Sequence, residues 1–278
     1  MAPPVAFTLD LEDHLGRYNA TSRYLAVTPR ILDFLDELGV RGTVFVVARI
    51  AEASPALVRE VARRGHEVAC HSYTHRPLTL EYADNFYADT RRAKEVLEEC
   101  IGRPVTGYRA PVFSLTRASP WAESLLAEIG FRYSSSVLPA RNPLHGFAGA
   151  PRTPFRWPSG LVELPCPVGR LGPLTLPYLG GVYLRYLPRR LRARLLGRAG
   201  PGEVLWTYIH PYDFDADEPY ARFAGTSAAE SLLLWRNRRE TFARVRDVLA
   251  GGALGALGEI AGDPAFRAAL PVFDPEGA

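Results

Sequence analysis

Near its start the chain reads Val5-Ala-Phe-Thr-Leu-Asp10-Leu-Glu12-Asp13-His14, an apolar run that ends in three carboxylates and an imidazole. The apolar run predicts a buried β-strand, because β-branched and aromatic residues favour strands. Neighbouring carboxylates repel one another unless a cation or a hydrogen-bond network compensates them. Directly after a buried strand the cluster predicts a functional site, and a solvated acidic loop is the alternative.

The first half of the chain repeats this pattern of a strand followed by a helix. Strands are predicted over residues 5–9, 43–47, 66–70, 105–108 and 131–135, with helices beginning at 28–29, 54–55, 82 and 121. Repeated βα units build parallel sheets covered by helices. We therefore predict an α/β fold, a distorted β/α barrel for which seven strands is one option.

The second half is less regular. Residues 137–188 are rich in Pro and Gly and predict a loop-rich insertion, after which a strand over 204–209 and a helix over 227–249 resume the pattern. We predict one barrel domain over residues 1–249, with residues 250–278 as a C-terminal tail that packs on it or extends from it.

Composition narrows the class of protein. The 278 residues are 47% hydrophobic and carry a formal net charge of +3, which suits a globular chain and argues against a nucleic-acid partner. No apolar run is long enough for a membrane span, and no signal-peptide pattern opens the sequence. Three scattered cysteines without a CxxC pair favour a reducing compartment, so a cytoplasmic location is predicted.

Three further strand ends carry polar residues. His71-Ser-Tyr-Thr-His75 places two imidazoles four residues apart, a spacing that brings them to one side of a helical turn and suits metal binding. Arg109, after the strand over 105–108, could pair with an aspartate that acts as a base. His210 ends the strand over 204–209 and could protonate a leaving amine. A chance surface pair, a structural salt bridge and a buried core histidine are the respective alternatives.

Together these motifs resemble the polysaccharide deacetylase family, carbohydrate esterase family 4. The resemblance runs from about residue 5 to 245 and is closest to the branch found beside exopolysaccharide clusters. It is carried by Asp10-Leu-Glu-Asp13, Ala69-Cys-His-Ser-Tyr-Thr-His75-Arg, Gly107-Tyr-Arg-Ala-Pro-Val-Phe-Ser114, Gly180-Gly-Val-Tyr-Leu-Arg-Tyr-Leu-Pro188 and Tyr208-Ile-His-Pro-Tyr212.

The resemblance implies a metal-dependent hydrolase that removes the acetyl group from an N-acetylated sugar. By position, Asp10 corresponds to the catalytic base, His210 to the general acid and Arg109 to the residue that orients Asp10. Metal ligands would be His71 and His75. The substrate-binding residues are predicted to be Phe113, Tyr208, Tyr212 and Trp157.

The third metal ligand is open between two residues. Better-known members of the family have two adjacent aspartates where this chain reads Asp10-Leu-Glu12-Asp13. Because alternate residues of a strand share a face, Glu12 is favoured and Asp13 is the second choice. Two imidazoles and a carboxylate suit Zn²⁺, and also Fe²⁺, Co²⁺ or Ni²⁺.

One position departs from the family branch. Where an aspartate is usual, the chain reads Tyr133-Ser134-Ser135-Ser136. If that aspartate supports the acid histidine, Asp213 or Asp215 is the candidate replacement.

A basic segment raises the question of partners. Arg185–Arg198 contains six arginines with leucines at helical spacing, which predicts contact with an anionic membrane surface or a lipid-linked glycan and a peripheral membrane position. An ordinary solvated helix is the alternative.

Two other functions stay open. The fold could serve hydrolysis of another linear or cyclic amide, or the chain could be an inactive carbohydrate-binding protein. Ser134 favours the second, whereas the full set of polar residues after the strands opposes it.

Overall fold

The computed structural model describes residues 2–14, 21–141, 145–222 and 227–275. The strands are β1 Val5–Ala6, β2 Thr8–Leu11, β3 Thr43–Val46, β4 Glu67–Cys70, β5 Gly107–Tyr108, β6 Tyr133–Ser134, β7 Phe155–Arg156, β8 Val162–Glu163, β9 Gly169–Leu171, β10 Leu174–Leu176 and β11 Ala253–Leu254. The helices are α1 Tyr24–Glu37, α2 Ala48–Ala53, α3 Pro55–Arg63, α4 Ala83–Ile101, α5 Ala122–Ile129, α6 Gly181–Tyr186, α7 Arg189–Leu196, α8 Pro211–Phe214, α9 Ala228–Trp235, α10 Thr241–Leu249, α11 Leu257–Gly262 and α12 Pro264–Ala269.

The main sheet has seven strands in the order β2-β3-β4-β5-β6-β8-β7, parallel except for the β7–β8 pair. Parallel bridges from Ala6 to Trp206 and from Leu9 to Ile209 place the segment 206–209 beside β2. Within the described ranges no pairing joins that segment to β7 or β8, so the barrel is open there. The predicted α/β class and distorted barrel are confirmed.

Alternate side chains along the strands belong to two separate hydrophobic cores. Phe7, Leu9 and Leu11 belong to the cluster that includes the helix residues, whereas Ala6 and Phe45 belong to a second cluster with Trp206. Successive strand residues point to opposite faces of a sheet. Asp10 therefore shares the face of Ala6, inside the open barrel.

Three helix predictions need correction. Helix α1 begins at Tyr24, one turn before the predicted start, so Pro29 lies inside the helix. The predicted helix over 227–249 is split into α9 and α10, because Asn237 adopts a left-handed conformation at φ 63°. The basic segment Arg185–Arg198, in which the leucines have helical spacing, does not form one helix either. The backbone is extended at Leu187 and Pro188, between α6 and α7.

The C-terminal residues contact the barrel. Strand β11 pairs with β1, and Leu257 donates its backbone N–H to Thr43 Oγ1 at 2.8 Å. The division into a barrel over 1–249 and a tail over 250–278 remains a prediction. Among the helices described, none has the length and apolar character needed to cross a membrane.

Candidate metal and acid–base site

Asp10 and Arg109 meet inside the barrel. Arg109 Nη1 lies 2.5 Å from Asp10 Oδ1 and 2.9 Å from Thr8 Oγ1. The other guanidinium nitrogens donate to Ser135, with Nη2 2.8 Å from Ser135 Oγ. Arg109 is fully buried, with its Cζ 4.3 Å from the ring centre of Trp206. The cation is therefore fixed on several sides, and it fixes the Asp10 carboxylate in turn.

Glu12, His71 and His75 form a buried cluster. One ligand atom from each lies within 4.8 Å of the others. His75 Nε2 contacts Glu12 Oε2, and His71 Nε2 lies 3.9 Å from the same oxygen. Glu12 Oε2 is buried and makes no hydrogen bond of ordinary geometry among the described residues, although His75 Nε2 lies against it. Two imidazole nitrogens and a carboxylate oxygen that converge in a buried site are a donor set that fits a divalent metal.

His71 is oriented by a backbone carbonyl. Its Nδ1–H donates to the carbonyl oxygen of Arg109 at 2.8 Å, which leaves the lone pair of Nε2 facing the cluster. Burial lowers the pKa of His71 well below its usual value. The ring is therefore neutral, as a metal ligand must be.

The loop that carries both histidines is not helical, which corrects the expectation from their spacing. Ser72 and His75 adopt left-handed conformations at φ 65° and 61°. The His75 backbone N–H donates to Ser72 Oγ at 2.8 Å. This tight turn after β4 brings His75 back towards His71, with ring centres 4.8 Å apart.

Asp13 points to a different set of partners. Its carboxylate accepts hydrogen bonds from the backbone N–H groups of His14, Thr21 and Ser22, at 2.7, 2.7 and 2.8 Å, and from Thr21 Oγ1 at 2.8 Å. Both of its oxygens are thus engaged in holding the segment around residues 21–22.

His210 follows the segment that pairs with β2, and it lies beside Glu12. Its Nε2 lies 3.5 Å from Glu12 Oε1, and its ring stacks on Tyr212 with centres 4.6 Å apart. Its Nδ1 lies 3.0 Å from Asp213 Oδ2. Burial disfavours the charged imidazole, but Asp213 and Glu12 outweigh this and raise the pKa of His210 to about 9. The ring therefore carries the proton that an acid needs.

Three of the four predicted substrate-binding residues lie at this site. Phe113 and Tyr208 pack edge to face at 5.0 Å, and the Tyr212 hydroxyl donates to Glu12 Oε1 at 3.2 Å. Trp157 lies elsewhere: it packs between Phe155 and Phe273 and donates from Nε1 to Glu163. Trp157 is 2% exposed, so little of its surface is accessible to a sugar.

The basic segment over 185–198 does not present one continuous charged face, which corrects the sequence-based interpretation. Arg185 is fully buried and Arg192 is 3% exposed. Arg185 instead pairs with Asp213 at 3.0 Å. This contact was missed because nothing in the sequence marks which of several neighbouring arginines turns inward, although Gly180-Gly181 signals a close approach.

An open parallel barrel with a carboxylate and two histidines at its carboxyl edge defines an α/β protein with a candidate metal centre. Comparison with known proteins gives the family. Residues 5–134 match the family described as "Polysaccharide deacetylase", and residues 135–260 match "Domain of unknown function (DUF3473)", which is found in exopolysaccharide-associated deacetylases. Residues 5–134 therefore carry a polysaccharide deacetylase domain, of carbohydrate esterase family 4. Deacetylases of this family are metal-dependent.

The similarity to individual curated proteins covers only part of the chain. The peptidoglycan-N-acetylglucosamine deacetylase of Bacillus cereus is 31% identical over 87 residues, which cover 31% of this chain and 32% of that protein. The chain thus spans about a third of the length of the curated relatives it matches.

Solved structures agree on the fold. A protein of Mycobacterium smegmatis assigned as a polysaccharide deacetylase has a TM-score of 0.63 at 23% identity and covers 99% of this chain and 100% of its own. A family 4 carbohydrate esterase of Streptomyces lividans, solved with acetate, has a TM-score of 0.50 at 17% identity and covers 89% and 88%.

Proposed function

We propose that the protein is a metal-dependent N-deacetylase that converts an N-acetylated sugar to the free amino sugar and acetate. The observation that carries the proposal is the arrangement of Asp10 and His210 around the cluster of Glu12, His71 and His75. A base, an acid and a metal site are the parts that amide hydrolysis at neutral pH requires.

The ligand set favours Zn²⁺. Two imidazoles and one carboxylate are a common ligand set of catalytic zinc sites, and Fe²⁺, Co²⁺ and Ni²⁺ share this preference for nitrogen ligands. When bound, the cation supplies Lewis-acid polarisation of the acetyl carbonyl and a lowered pKa of water. Glu12 is our proposed third ligand, because the oxygens of Asp13 are engaged with residues 14, 21 and 22.

The protein groups account for the proton transfers. Asp10, fixed by Arg109, takes a proton from the water whose oxygen adds to the acetyl carbon. As the C–N bond breaks, the nitrogen keeps the electron pair and receives a proton from His210 Nε2. The products are the amine and acetic acid, which ionises to acetate. Asp10 then releases its proton to solvent and His210 takes one up, so both groups return to their starting states.

Phe113, Tyr208 and Tyr212 form the aromatic side of the site, which suits stacking on a sugar ring. A polysaccharide or a lipid-linked glycan precursor is the substrate class that we propose. The curated relative from Bacillus cereus, by its name, acts on peptidoglycan N-acetylglucosamine, so N-acetylglucosamine oligosaccharides are the first substrates to test.

The proposal extends to the location of the protein and to its contact with membranes. The scattered cysteines support a cytoplasmic site of action, and all three are free thiols. Contact with an anionic membrane or lipid-linked glycan through residues 185–198 is restricted to Arg189, Arg190, Arg194 and Arg198, because Arg185 and Arg192 are buried.

Acetate release from N-acetylglucosamine oligosaccharides tests the proposal. We expect the zinc-loaded protein to release one acetate for each new amine, and a variant with both His71→Ala and His75→Ala to release none. Release of ammonia or cleavage of a cyclic amide without acetate would favour the alternative amide hydrolase. Sugar binding without any turnover would favour the inactive binding protein.

A further inference from the structure

His210 is held by a carboxylate three residues further along the chain. Asp213 Oδ2 accepts hydrogen bonds from both the backbone N–H and the Nδ1–H of His210, each at 3.0 Å. Asp213 is fully buried, and its own carbonyl accepts a hydrogen bond from Thr241 Oγ1 at 2.6 Å. Because Nδ1 is engaged, Nε2 is the ring nitrogen that faces the site.

Arg185 holds Asp213 from the other side. Its Nη2 lies 3.0 Å from Asp213 Oδ1, and both side chains are fully buried. Its Nη1 donates to the carbonyl oxygens of Leu234 and Arg236 at 3.0 and 2.6 Å. Breaking a buried ion pair leaves an uncompensated charge, so the two residues depend on each other.

Two glycines make this approach possible. A Cβ at Gly181 would lie 1.9 Å from Asp213 Oδ2, and a Cβ at Gly180 would lie 2.0 Å from Cζ of Tyr208. Neither distance is sterically allowed. The Gly180-Gly181 pair thus lets α6 contact the segment that carries His210. This close contact explains why two glycines stand at the start of α6.

Ser134 takes no part in this arrangement. Its hydroxyl donates to Ser136 Oγ at 2.8 Å, and Ser136 Oγ in turn accepts from the Ala110 backbone N–H. The serines therefore support the Arg109–Ala110 turn on the base side. The acid side is built from residues that all lie within 135–260, the part of the chain that matches the domain of unknown function.

We propose that Arg185 and Asp213 are positioning residues for His210, and that the region 135–260 thereby supplies the acid half of the active site. The inference rests on the proposed deacetylase function. Its chemical consequence concerns the leaving group only. An amine needs the proton from His210 Nε2 as the C–N bond breaks, whereas the phenolate of 4-nitrophenyl acetate departs with its electron pair unprotonated.

The test compares these two acetyl donors in Asp213→Asn, which keeps the shape of the side chain. We expect kcat for N-acetylglucosamine oligosaccharides to fall about 10²-fold or more with KM changed less than threefold. Hydrolysis of 4-nitrophenyl acetate and the bound zinc should stay within threefold of wild type. Arg185→Lys keeps the positive charge and loses the hydrogen bonds of the guanidinium group. We expect a smaller fall in kcat for the oligosaccharides, again with ester hydrolysis preserved.

Asp215→Asn is the matched control. Asp215 is the other nearby carboxylate, and it pairs with Arg23 at 2.5 Å. We expect it to leave both activities unchanged. Provided that the wild type deacetylates sugars, two results would overturn the inference. One is an equal loss of sugar deacetylation and ester hydrolysis in Asp213→Asn and Arg185→Lys, and the other is no loss of either activity. A wild type that cleaves the ester and no N-acetyl sugar would overturn the proposed function, and the role of the pair with it.

Discussion

Arg109 Nη1 lies 2.5 Å from Oδ1 of Asp10, and Arg109 is fully buried. The arginine directly follows strand β5 and the aspartate lies in β2, with β3 and β4 between these strands. The contact therefore spans the inside of the barrel, and it exists because parallel strands end at a common edge.

Asp10→Asn removes the proposed base and keeps the shape of the side chain. We expect kcat for sugar deacetylation to fall about 10²- to 10⁴-fold, as for the loss of a general base. Zinc content should be unchanged, because Asp10 lies outside the metal cluster. Initial rates and metal analysis of the same preparation check this, and retention of more than a tenth of the wild-type kcat would refute the assignment.

Glu12→Gln and Asp13→Asn separate the two candidates for the third metal ligand. We expect Glu12→Gln to weaken zinc binding at least tenfold, because the amide is a poorer ligand than the carboxylate. Asp13→Asn should keep the zinc and lower the melting temperature, since Asp13 holds Thr21 and Ser22 through hydrogen bonds. A zinc titration of both variants decides the matter; the opposite pattern would make Asp13 the ligand.

Ser134→Asp restores the residue that is usual in the family branch, and we expect it to harm this protein. Glu163 lies opposite Ser134 in the β6–β8 pair and is fully buried. Burial raises the pKa of its carboxyl group, and the backbone N–H groups of Ser136 and Val137 donate to it. A second acidic group there would cost about 3 kcal/mol of unfolding free energy, against about 1 kcal/mol for the control Ser134→Ala. Denaturant unfolding measures both, and a gain in kcat for Ser134→Asp would contradict our account of the acid side.

His66 predicts a pH dependence of stability that is independent of the active site. Burial, assisted by Arg41, lowers the pKa of His66 from 6.5 to about 4. Between these values the unfolded chain binds a proton that the folded one excludes, so stability falls as pH decreases from 6.5 to 4. The loss amounts to about 3 kcal/mol.

The control for this effect is His66→Asn, whose side chain can still accept the hydrogen bond that Gly42 N–H donates to His66 Nδ1 at 3.3 Å. We expect the free energy of unfolding of the variant to change less than that of wild type over this pH range. Parallel curves for the two proteins would show that His66 is not protected from protonation.

The sequence was sufficient to predict that Asp10, Arg109 and His210 lie at one edge of the barrel. Each follows a strand predicted from the sequence, and parallel strands place such residues at a common edge. Sequence also favoured Glu12 over Asp13 as a ligand by strand alternation, and the cluster contains Glu12. This ligand assignment remains a prediction until metal binding is measured.

The features of the site that the sequence did not predict depend on local backbone conformation and on contacts between distant segments. The direction of His75 follows from two left-handed residues in a five-residue loop, which no spacing rule predicts. The burial of Arg185 depends on α6 meeting the segment after His210, and that of Trp157 on Phe273 near the C-terminus. Such tertiary contacts decide whether an arginine or an aromatic ring is internal or available to a ligand.

The central claim is tested most directly by titrating zinc into metal-free protein while acetate release from an N-acetylglucosamine oligosaccharide is measured. Our account predicts that activity rises linearly to a maximum at one zinc per chain, and that the double variant His71→Ala/His75→Ala gains neither zinc nor activity. Acetate release that is full without metal, or zinc binding at one equivalent with no acetate from any N-acetyl sugar, would contradict it.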